Sequence, residues 1–227
     1  MPWPRNAKIA FIGSHGIRKT TAALTFASVI QRAGRSVEFA REVVRDNPLG
    51  INEGATAEAQ LWVLTSQIRR ELELSRKAEC LVTDRGVMDN FAYYLRAGGG
   101  EDRFDAEPLV RKWSGTYDLV LRLTPDVEIR ADGVRSTSDE FRDEIEAILD
   151  ARLPHLVPSD RLVVRPASAI TENHDWWPLA VQLAEQLGEP LLAPGVSRPA
   201  HPGRATPPRS KRAKIAAKDQ LALDLGR

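Results

Sequence analysis

Cysteine is almost absent from the chain. Cys80 is the one thiol in 227 residues, so no disulfide can form within the chain and a reducing compartment is expected. Long apolar runs are missing too, none approaching the roughly 18 residues that span a bilayer. The opening MPWPRNAKIAFIG lacks the charged start, long apolar stretch and small-residue cleavage site of a signal peptide. A soluble, cytoplasmic protein is the expectation. No internal repeat is present, and 42% hydrophobic composition is enough to build the core of one ordinary domain.

An excess of either charge is also lacking, since the formal total is only +1. That balance conceals a division. Residues 196–227 hold eight lysines and arginines against Asp219 and Asp224, a net +6, which leaves −5 for the body of the chain. From Pro194 onward Pro, Ser, Gly, Arg and Lys dominate, with too little apolar surface to offset the entropy of ordering. The expectation is a folded domain over residues 1–193 and a disordered basic tail over 194–227. The tail's charge offers a footprint for DNA or another polyanion.

What is present is an alternation of short apolar or β-branched runs with longer helical patterns. It predicts an α/β fold, a three-layer arrangement around a parallel five-stranded sheet covered on both faces. Strands are expected over 7–13, 36–40, 80–84, 117–123 and 161–166. Helices are expected over 19–33, 56–79, 87–96, 105–113, 139–153 and 175–187. The longest rests on Leu61, Leu64, Ile68 and Leu72 recurring at helical spacing.

The first strand runs directly into Gly13, Ser14, His15, Gly16, Ile17, Arg18, Lys19, Thr20 and Thr21, and these lead into a helix. Strand, glycine loop and helix in that order make a phosphate-binding loop. Backbone N–H groups cradle triphosphate oxygens, Lys19 pairs with the transferred phosphates, and the Thr20 hydroxyl ligates Mg²⁺. ATP and Mg²⁺ are the expected cofactors. Arg18 stands where the pattern G-x-x-x-x-G-K-[ST] has its second glycine. It is a tolerated substitution, a deliberate extra cation, or the mark of a loop that binds nothing.

Ligands of open parallel sheets lie beyond the carboxyl ends of the strands. The second strand delivers Arg41 and Glu42 there, and the third delivers Asp84 and Arg85. An alcohol acceptor needs a carboxylate near its proton, and Glu42 is the first candidate for that base. Asp84, expected to end the strand beside the phosphate loop, suits Mg²⁺ as a Walker B carboxylate does, with Arg85 directed at phosphate. After the fourth strand, a charged segment over about 124–138 reads as a lid bringing in Arg130 and Arg135. An exposed charged loop is the plainer alternative.

With the loop, AREVVR, DRGVMDN and DGVRS in place, the chain resembles the thymidylate kinase and deoxynucleoside kinase group over about residues 8–187. The resemblance includes AAA-type relatives similar to bacterial nicotinamide riboside kinases. It implies transfer of the γ-phosphoryl group of ATP to a hydroxyl or phosphate of a nucleoside- or nucleotide-like acceptor. It also implies metal and phosphate roles for Asp84 and Arg85, and supports Glu42 as base. Such kinases read a pyrimidine edge with a glutamine on the long helix, which points to Gln60 and Gln67, with Arg41 as a further substrate residue. Viral kinases similar to thymidylate kinase phosphorylate 5-hydroxymethyluracil within DNA, and the basic tail suits that alternative. A nucleotide-binding switch that transfers nothing is the third.

Overall fold

The computed structural model describes residues 2–3, 5–50, 54–126, 138–171 and 173–198. The expected parallel five-stranded sheet is present. Its strands are β1 (Ala7–Ile12), β2 (Val37–Ala40), β3 (Cys80–Asp84), β4 (Leu119–Thr124) and β5 (Leu162–Pro166). They lie in the order β2-β3-β1-β4-β5, all parallel. The helices are α1 (Lys19–Arg32), α2 (Ala57–Leu74), α3 (Val87–Arg96), α4 (Glu107–Ser114), α5 (Asp139–Leu156) and α6 (Trp177–Gln186).

Alternation along β1 divides the core into two layers. Ile9 and Phe11 face one side, where Phe26 of α1 and Trp176 before α6 pack on Phe11 with ring centroids 5.5 and 5.7 Å away. Ala10 and Ile12 face the other, against Leu64, Phe91, Tyr94 and Ile145. Burying each large side chain contributes about 1.5–3 kcal/mol. Registry then sets the site. Phe11 pairs with Asp84 and Ala40 with Thr83, so the ends of β1, β2 and β3 come level at one edge of the sheet.

A buried ionic hub ties the layers together. Glu71 of α2 takes Lys8 Nζ and Gln67 Nε2 at 2.9 Å, Trp113 Nε1 at 2.8 Å and the Tyr117 hydroxyl at 2.7 Å. The Lys8 ammonium also lies over the Trp113 and Tyr117 rings.

Two helix ends differ from expectation. Helix α2 stops at Leu74 because Glu79 is taken by the backbone N–H groups of Trp3 and Ser36 and by the Arg35 guanidinium. Helix α5 runs on through Pro154 to Leu156, since a proline in the last turn removes only one backbone bond. Beyond α6 the chain stays on the body: Arg35 donates to the carbonyls of Pro190 and Leu191, and Ala193 N–H to the Ala33 carbonyl. The lid residues Arg130 and Arg135, within 127–137, and residues 199–227 of the tail lie outside the described residues. Among the described residues no helix is long and apolar enough to cross a membrane.

Candidate active site

The loop between β1 and α1 takes its shape from three residues with positive φ. Gly13 is at φ +133°, and a Cβ there would stand 2.4 Å from the Leu123 carbonyl oxygen, so only glycine fits. Gly16 follows at φ +76°. Arg18 holds φ 63° and ψ 23° at the start of α1, the left-handed conformation that its usual glycine would adopt without strain. For an L-residue with a side chain this costs about 1–2 kcal/mol. Arg18→Gly is therefore expected to raise unfolding stability by about 1 kcal/mol, read from the urea midpoint, with triphosphate affinity retained. Lower stability in the glycine variant would contradict this loop geometry.

The arginine is exposed, while the rest of the loop turns inward. Ser14, His15 and Ile17 are buried, and Thr21 opens the exposed face of α1. Ser14 N–H donates to Glu146 Oε1 of α5 at 2.9 Å, and Arg122 of β4 holds the other carboxylate oxygen at 2.8 Å. His15 Nδ1 lies 3.2 Å from the Tyr93 hydroxyl, with its ring 5.3 Å from that of Phe141.

Lys19, Thr20 and Asp84 meet. The Thr20 hydroxyl donates to Asp84 Oδ2 at 2.6 Å, from the first turn of α1 to the end of β3. The Lys19 ammonium is buried and donates to the Ser14 carbonyl. Burial, followed by the nearby Arg85 charge, pushes Lys19 down to about 8, against the opposing pull of Asp89, Glu42 and Asp84. A hydroxyl and a carboxylate are hard oxygen donors, which suits Mg²⁺, an ion that completes its octahedron with water and phosphate oxygens. Among the described residues there is no group of three His, Cys, Asp or Glu placed to hold a metal ion.

Arg85 and Glu42 also meet. Arg85 Nε donates to Glu42 Oε1, both side chains are buried, and the guanidinium lies 5.0 Å from the Tyr93 ring. Burial alone would lower the guanidinium, but Glu42, then Tyr93 and Asp89, hold it well above its usual range. This arginine is packed inside the protein.

The substrate candidates separate. Arg41, just beyond the end of β2, is exposed and bonds both oxygens of Asp46, at 3.1 and 2.8 Å. Gln60 is buried near the start of α2. Gln67 is fully buried, and its amide nitrogen is given to Glu71 and, at 3.3 Å, to the Arg85 carbonyl. Sequence reasoning passed over Asp89, Tyr93 and Glu146. Asp89, in the third position of α3, is fully buried beside Arg85, and burial pushes its carboxyl up to about 6 against the opposite pull of Arg85 and Lys19. The only local signal for it was its place in DRGVMDN.

Comparison with known proteins agrees with this fold. No curated protein matches the chain. Among solved structures, NadR protein in complex with NAD and AMP-PNP is similar over 81% of this chain and 50% of its own, at 18% identity and TM-score 0.56. NadR protein in complex with NR is similar over 70% of this chain and 45% of its own, at 22% identity and TM-score 0.56. The chain thus spans about half the length of these solved proteins, and the likeness is one of fold. The family model described as an AAA domain, AAA_28, matches residues 8–157, most of the chain and the carboxyl ends of β1, β2, β3 and β4, so the chain belongs to this AAA-domain family.

Proposed function

We propose that the chain transfers the γ-phosphoryl group of ATP to a hydroxyl or phosphate of a nucleoside- or nucleotide-like acceptor. The observation that carries this reading is the 2.6 Å bond of Thr20 to Asp84 beside the buried Lys19 ammonium, at the carboxyl ends of adjacent parallel strands. The AAA-domain family and a fold shared with a protein solved with AMP-PNP support it. Loop N–H groups and Lys19 bind and orient the phosphates, and Lys19 offsets charge that develops during transfer. Thr20 and Asp84 would hold Mg²⁺, which would supply charge to neutralise phosphate oxygens. Glu42 takes the proton of an alcohol acceptor, and Arg130 and Arg135 are the candidates for bringing further positive charge to the phosphates.

These roles separate in kinetics. Asp84→Asn is expected to weaken the dependence on Mg²⁺, whereas Glu42→Gln should lower kcat by roughly 10²–10⁴ with nucleotide and metal affinity nearly unchanged. Exchanged signatures would exchange the two roles.

A second reading, phosphorylation of 5-hydroxymethyluracil within DNA, is favoured by the net +6 of residues 196–227. Deleting that tail should leave turnover of a small acceptor unaltered. On hydroxymethylated DNA the deletion should raise KM and flatten its dependence on salt, because fewer counterions are released. Equal behaviour of full and shortened chains on DNA would remove this reading.

A further inference from the structure

Glu42 has two tasks that conflict. As the base of the proposed reaction it must turn to the acceptor hydroxyl, yet its Oε1 holds Arg85 Nε–H. Arg85 is buried, so a guanidinium that Glu42 released would be left in the interior without a carboxylate at hydrogen-bond distance.

A second acceptor stands beside it. Asp89 Oδ1 accepts the Gly86 N–H at 2.8 Å, while Oδ2, fully buried, has no hydrogen-bond partner among the described residues. Buried polar atoms are seldom left so. This oxygen lies 3.6 Å from Arg85 Nη1, roughly 0.7 Å beyond an ordinary N–H···O distance. The arginine backbone is fixed meanwhile. At φ 83° it is, with Arg18, one of two non-glycine residues with positive φ among the described residues. Its N–H bonds the Phe11 carbonyl at 3.1 Å, and its carbonyl takes Gln67 Nε2. Strain of this kind persists where the surroundings over-determine it, and it collects at functional sites. With the main chain pinned, the guanidinium can shift between Glu42 and Asp89 across the Tyr93 ring.

We propose that Asp89 is a positioning residue that receives the Arg85 guanidinium when Glu42 turns to the acceptor, and gives it back after transfer. The proposal rests on the reading of Glu42 as base. In the step itself the acceptor O–H proton passes to Glu42 and the acceptor oxygen bonds the γ-phosphorus. The bond from that phosphorus to the bridging oxygen breaks, with ADP leaving. Arg85 keeps its charge and Asp89 compensates it, so no interior cation is left unpaired while Glu42 is neutral.

Two measurements on the full chain test this. Asparagine at position 89 keeps an oxygen for Gly86 N–H, so Asp89→Asn preserves the start of α3 and removes only the charge. Its kcat should fall at least about tenfold with KM for ATP within about twofold. A kcat equal to wild type would overturn the proposal, leaving Asp89 a helix cap. The second readout needs no acceptor: nitrogen NMR of guanidinium rotation at Arg85. Rotation should stay restricted in Glu42→Ala and become fast only in Glu42→Ala/Asp89→Asn. A double variant that unfolds while Glu42→Ala stays folded supports the same conclusion, since Arg85 has then lost its last anionic partner. Fast rotation in Glu42→Ala alone, or no difference between single and double variants, would overturn it. Should the wild type transfer phosphate to nothing, the proposed reaction fails and the NMR result alone judges Asp89.

Discussion

Lys19→Met should lower kcat by a factor on the order of 10³, with circular dichroism still reporting a folded protein. Methionine keeps the unbranched stem that packs behind the loop and removes only the ammonium. That ammonium is buried, donates to the Ser14 carbonyl, and is pushed down to about 8 chiefly by burial. A group held at such cost to its charged form is suited to a ligand that brings negative charge. In the water-poor site its attraction for developing charge exceeds what a surface lysine would supply. Single-turnover measurements with ATP separate this loss from any change in binding. Near-full activity in the variant would remove Lys19 from the reaction.

The largest effect on stability is expected at Glu71. Glu71→Leu leaves the Lys8 ammonium, at 7% exposure, without its anion. It also deprives Gln67, Trp113 and Tyr117 of an acceptor in the interior. Breaking a buried pair from one side typically costs about 3–5 kcal/mol, against about 5–15 kcal/mol for a whole domain. The urea midpoint should fall accordingly, without a change in nucleotide chemistry beyond that caused by unfolding. A loss under about 1 kcal/mol would mean that solvent reaches Lys8 and that the hub is not a closed network.

Much of the fold was legible because its signals are local. The apolar run ending in Asp84-Arg85-Gly86 stops β3 and starts α3 where expected, since the polar pair and the glycine interrupt both periodicities. The end of α2 was not legible. Ser75, Arg76, Lys77, Ala78 and Glu79 are compatible with a helix, and the stop comes from Trp3, Arg35 and Ser36 claiming Glu79 across the fold. The site divides in the same way. Lys19 and Thr20 follow from one contiguous motif, and Asp84 from its place at a strand end. The partnership of Arg85 with Glu42 joins residues 43 positions apart, and that with Asp89 depends on the left-handed backbone of Arg85. Glu71 carried no signal of its own, because a sequence does not show which polar residue of a helix has Lys8 beside it. Arg41 and Glu42 were both expected at the site, yet just past the end of β2 Arg41 is exposed while Glu42 is buried.

The loop at Gly13 to Thr21 is proposed to bind a triphosphate for transfer to a nucleoside-like acceptor. The direct measurement is incubation of the full chain with γ-labelled ATP and Mg²⁺, separately with free nucleosides, nucleotides and hydroxymethylated DNA. Label is expected to move to one of these acceptors, chelation of the metal to stop the transfer, and Lys19→Met not to support it. Tight binding of ATP with no label on any acceptor would contradict it and leave a nucleotide-binding switch in its place.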